Sequence, residues 1–62
     1  MNPESQKIRE QLRKHLREMI QAETNKLWLC AIAEDYKGLI EHAERLVILA
    51  RRAEKLVEQG AR

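Results

Sequence analysis

The chain has 62 residues, a net charge of +2 and a single cysteine, which limits it to one small domain without an internal disulfide. A chain of this length buries only about 60% of the surface its unfolded form exposes, so stability has to come from regular helix packing, a metal or association with another chain. Ala, Glu, Lys, Leu and Arg make up 36 of the 62 residues, a bias toward helix formers that argues against a sheet and for an all-α fold.

The first predicted element is a helix over about residues 3–22. Asn2 suits the capping position, Pro3 the first helical position, and Glu4 the positive end of the helix dipole. Ile8, Leu12, Leu16, Met19 and Ile20 recur at three- and four-residue steps and make one apolar stripe, with His15 beside it. Arg9, Arg13 and Arg17 stand four residues apart with Lys14 alongside. Such a basic ridge could contact phosphates of RNA or DNA, although Glu10, Glu18 and Glu23 share the helix. After Ala22 the stripe stops, and Glu23-Thr24-Asn25 reads as a loop, because Thr and Asn favour caps and turns.

The second predicted element is one long helix from about residue 25 to 59, ended by Gly60. Leu29, Ile32, Tyr36, Leu39, Ala43, Leu46, Ala50, Ala53 and Val57 follow one another in alternating steps of three and four, an unbroken heptad. Gly38 falls at an outer position of that pattern, where glycine costs about 1 kcal/mol relative to alanine without breaking the helix. The rival reading is a three-helix bundle with an additional turn near residues 34–38.

A rod over residues 25–59 is too long for the first helix to cover, and its apolar face is wide, since Trp28, Leu49 and Leu56 widen it on one side and Ala33, Ile40 and Val47 on the other. The expected architecture is therefore a two-helix hairpin that self-associates as a homodimer or higher helical bundle. In architecture this is similar to small bacterial RNA-regulatory hairpin dimers. The predicted interface comprises Leu27, Trp28, Leu29, Ile32, Tyr36, Leu39, Ala43, Leu46, Leu49, Ala50, Ala53, Leu56 and Val57. Bulky residues in the first half of the seam and alanines in the second favour an antiparallel partner, which sets thick against thin.

No residues assemble into a recognisable catalytic or metal-binding motif. Cys30 lies twelve residues from the nearest histidine, His42, and His15 and His42 each lack a His, Cys or Glu four residues away. The chain is thus expected to be a non-enzymatic interaction module with no cofactor, and the regularity of its pattern also suits an engineered scaffold. Leu29-Cys30-Ala31-Ile32-Ala33-Glu34-Asp35-Tyr36 resembles the BH3 helix of cell-death regulators, with Glu34 where that family carries Asp. The resemblance implies a helix-in-groove binder that inserts Leu29, Ile32 and Tyr36 into another protein, with Leu27 and Trp28 nearby. A nucleic-acid-binding hairpin dimer using Arg9, Arg13, Lys14 and Arg17 is the remaining alternative. The polar beginning of the chain lacks a signal-peptide core and no apolar run reaches the ~18 residues of a membrane span. With a lone thiol, this leads to the expectation of a cytoplasmic protein that does not enter membranes.

Overall fold

A computed structural model describes residues 3–60. Two antiparallel helices, α1 (Pro3–Ile32) and α2 (Tyr36–Gly60), pack against each other as a hairpin. Pro3 begins α1, as its sequence position predicts; the proposed Asn2 cap lies outside the described residues. The body measures 48 × 15 × 12 Å. Its radius of gyration, 14.5 Å, exceeds the ~10.6 Å of a compact chain of this length.

The hairpin reverses at residues 33–35, not at 23–25, and its first helix is the longer one. The predicted loop at Glu23-Thr24-Asn25 is helical because its polar groups are satisfied within the helix or across the seam. Thr24 Oγ1 donates to the Ile20 carbonyl at 2.8 Å, and Gln21 Nε2 donates to Asn25 Oδ1 at 3.2 Å. Thr back-bonding of this kind leaves the helix intact. Glu23 takes a place on the packed face that sequence patterning reserves for apolar residues, and His42 of α2 meets it there. The single rod over residues 25–59 therefore does not exist, and the need for a partner that rested on its length falls with it. The reversal overlaps the turn near residues 34–38 of the three-helix alternative, but among the described residues there are two helices and no third.

The reversal is compact because one residue, Asp35, both closes α1 and opens α2. Glu34 adopts a left-handed backbone, with φ of 56°. The Asp35 amide then reaches the Cys30 carbonyl at 2.9 Å and the Glu34 amide reaches Ala31 at 3.2 Å, the paired bonds of a Schellman C-cap. Asp35 also starts α2: its carbonyl accepts from the Leu39 amide at 2.9 Å, and its Oδ1 accepts from the Gly38 amide at 3.0 Å. Gly38 has no Cβ because the Asp35 carboxylate occupies that space, with Cys30 Sγ 3.1 Å from where one would stand.

The inter-helix seam follows from the less exposed side chains. On α1 these include Leu16, Ile20, Glu23, Leu27 and Cys30; on α2, Leu39, His42, Leu46, Leu49, Ala53 and Leu56. Each set advances in alternating steps of three and four, the spacing that keeps one face turned to a neighbouring helix. Two narrow stripes of this kind make a thin core. Among the described residues, Leu49, at 6% exposure, is the buried hydrophobic side chain.

Candidate interaction surface

The heptad predicted for one long helix divides into two surfaces. Leu27, Leu39, Ala43, Leu46, Leu49, Ala53 and Leu56 are at least partly covered, and most of them lie on the seam of their own hairpin. Trp28, Leu29, Ile32, Tyr36, Ala50 and Val57 are exposed. Phase alone could not separate these sets, because a three-residue reversal preserves the heptad spacing while sending the chain back along itself.

On α2 the exposed set extends into a second apolar stripe. Tyr36, Ile40, Ala43, Val47 and Ala50 advance in steps of four and three, and Val57 continues the line one heptad beyond Ala50; of these only Ala43 is partly covered. Glu54 interrupts the stripe between Ala50 and Val57. The stripe is about 32 Å long and lies roughly a quarter turn around α2 from the face that packs on α1. That angle is the one by which a helix of a four-helix bundle meets its two neighbours. Ile40 and Val47, which sequence patterning places on the wide apolar face but outside the predicted interface, belong to this stripe.

Near the turn, Trp28 is 69% exposed and lies beside a shallow groove with Thr24, Leu27, Ala31 and Leu39. At the other end Arg13 and Arg17 border a groove with Ile20, Ala53, Leu56 and Val57. The basic ridge is not uniformly available: Arg13, Lys14 and Arg17 are exposed, whereas Arg9 is half-buried. The opposite edge of the hairpin carries Met19 and Ile48 near Arg45.

The BH3-like octet is not a single helix. Leu29 and Ile32 belong to α1, Tyr36 begins α2, and residues 33–35 turn between them. Three anchors on one helical face, which the resemblance requires, are therefore absent from this stretch.

The titratable groups at the seam are structural in character. His42 Nδ1–H donates to Glu23 Oε2 at 2.7 Å, and Lys26 Nζ stands 3.8 Å from Glu23 Oε1. The His42 hydrogen bond holds the Glu23 carboxyl below its ordinary range despite partial desolvation, with smaller help from the charges of His42, Lys26 and Arg45. Cys30 Sγ is 3.9 Å from Asp35 Oδ2. Desolvation, followed by the Asp35 charge and hydrogen bond, pushes its thiol up, the reverse of what an activated nucleophile needs. Among the described residues no three His, Cys, Asp or Glu side chains gather into a metal-ion cluster. No helix among them is long and apolar enough to cross a membrane.

No family model, no curated protein and no solved structure matches this chain. Its functional reading therefore rests on its own surface.

Proposed function

We propose that the chain is a non-enzymatic helical interaction module, natural or engineered, which self-associates through the apolar stripe of α2. The observation that carries this reading is the imbalance between core and surface. Leu49 is buried, while eleven large hydrophobic side chains, among them Trp28, Tyr36, Ile40, Val47 and Val57, are more than one-third exposed. The chain exposes 5435 Å², against the ~4,200 Å² expected of a compact monomer of its mass. The excess is larger than the ~800 Å² per partner that a standard interface removes. A second copy covering the stripe would complete a helical bundle and supply the core that one hairpin lacks. The lone, unactivated thiol suits a reducing, cytoplasmic setting.

Sedimentation equilibrium over a range of concentrations tests the proposal. Twice the 7.3 kDa chain mass, or a higher multiple, is expected at micromolar concentration; a monomer that persists with native helicity at millimolar concentration overturns it. The same solution tests the nucleic-acid alternative. Retention of duplex RNA that weakens steeply with salt, and that is lost on replacing Arg13 and Arg17, would move the function to the basic ridge.

A further inference from the structure

We infer that the partner of the α2 stripe is a second copy of this chain lying antiparallel, in one register selected by four charged residues. This inference rests on the self-association proposed above and adds its geometry. Lys37, Glu44, Arg51 and Glu58 stand seven residues apart on α2, all exposed, in one column bordering the stripe on the side away from α1. Their signs alternate along the column.

In an antiparallel pair of helices, the column bordering one side of the contact faces the same column of the partner. With Val47 packed against the partner's Ala50 and Ile40 against the partner's Val57, Lys37 faces the partner's Glu58 and Glu44 faces the partner's Arg51. Symmetry repeats each contact, so four oppositely charged pairs flank the apolar layers. A slip of one heptad in either direction removes this match. One slip sets Glu44 against the partner's Glu44 and Lys37 against the partner's Arg51. The other sets Arg51 against the partner's Arg51 and Glu44 against the partner's Glu58. Like charges thus oppose both neighbouring registers, a device that specifies one arrangement by penalising its competitors.

A parallel pair cannot use the column in this way. It would bring these charges against the column on the other side of the stripe, which holds Leu39, Leu46 and Ala53, side chains already partly covered in the hairpin seam. In this register Val47 and the small Ala50 meet at the middle of the contact, the small Ala43 leaves room for the stem of the partner's Glu54, and Ile40 and Val57 close the ends.

Site-directed crosslinking of the full chain separates orientation from association. In a Cys30→Ser background, Ile40→Cys and Val57→Cys chains are prepared separately, oxidised alone and oxidised as a mixture. The mixture is expected to give a 40-to-57 disulfide between chains, whereas Ile40→Cys alone gives none, because its two sites lie about 25 Å apart. An efficient disulfide between two Ile40→Cys chains, in a protein that sediments as a dimer, overturns the antiparallel inference while self-association stands. Failure of the mixture to crosslink in a dimer overturns the register. A monomer in every condition overturns both readings.

Charge exchange gives an independent measurement without cysteines. Glu44→Lys is expected to weaken dimerisation about tenfold, since it converts two symmetry-related attractions into repulsions. Adding Arg51→Glu to the same chain restores the pairing with signs reversed and should recover most of the loss. A dimer indifferent to Glu44→Lys, or a double variant weaker than the single one, removes the charge column as the register determinant.

Discussion

His42 Nδ1 lies 2.7 Å from Glu23 Oε2, joining two residues nineteen apart in sequence across the seam of the hairpin. Glu23 is the first residue of the loop that sequence patterning places after the first helix, yet here it occupies the packed face in a position otherwise held by Leu16, Ile20 and Leu27. The contact makes a carboxylate acceptable there, because a polar group leaving water needs a hydrogen-bonding partner.

This contact predicts a particular acid response. The folded-state pKa of Glu23 is lowered from 4.5, so its stabilising contribution is present above that value and is lost as pH falls through the lowered one. Thermal melts at fixed protein concentration, taken from about pH 5 to about pH 3, should decline more steeply for the wild type than for Glu23→Gln. Parallel declines would mean that the pair does not persist in solution.

The left-handed backbone of Glu34 predicts a stabilising substitution. A side chain at φ of 56° carries a steric penalty that glycine avoids, partly offset by glycine's greater freedom when unfolded. Glu34→Gly should therefore raise stability by about 0.5–1 kcal/mol, seen as an increase in Tm of several degrees. A lower Tm would contradict the Schellman geometry.

Gly38 and Asp35 should be strongly coupled. Asp35→Ala removes the cap on α2 and is expected to cost about 1 kcal/mol. In the wild-type chain Gly38→Ala displaces that same carboxylate, so the ~1 kcal/mol normally gained by replacing helical glycine is cancelled or reversed. In the Asp35→Ala background the obstruction is mostly gone, and Gly38→Ala should become stabilising. A double-mutant cycle by chemical denaturation checks the change of sign, and simple additivity would refute the packing.

Cys30 should be a slow thiol. Its raised pKa and its place against Asp35 and Gly38 keep the thiolate scarce near neutral pH, so alkylation by iodoacetamide at about pH 8 should run several-fold slower than for an unfolded thiol. Denaturant should abolish the protection, and Asp35→Asn should relieve part of it by removing the neighbouring charge. A rate equal to that of the unfolded chain would place the thiol in open solvent.

Much of the fold was legible in the residues. The surplus of helix formers and the three- and four-residue spacing of apolar residues pointed to two helices, and Pro3 begins the first of them. The chain reversal was misplaced because local preferences at Thr24 and Asn25 carry less weight than helix continuation once their side chains bond within the helix. At residues 33–35 the converse holds: Ala33 and Glu34 favour helices, and Asp35 acts through a cap that appears only when the chain has already turned.

Composition and spacing by themselves determined that this protein would be helical, amphipathic and short of core, since those properties depend on which side chains recur at a helical period. Tertiary structure decided which apolar residues the hairpin uses internally and which it leaves outside. Leu39, Leu46 and Leu49 are drawn to α1, while Tyr36, Ile40 and Val47 remain exposed. Sequence phase could not make that division, because it depends on where the backbone reverses, and the reversal is set by a left-handed residue, a cap and a missing Cβ acting together in space.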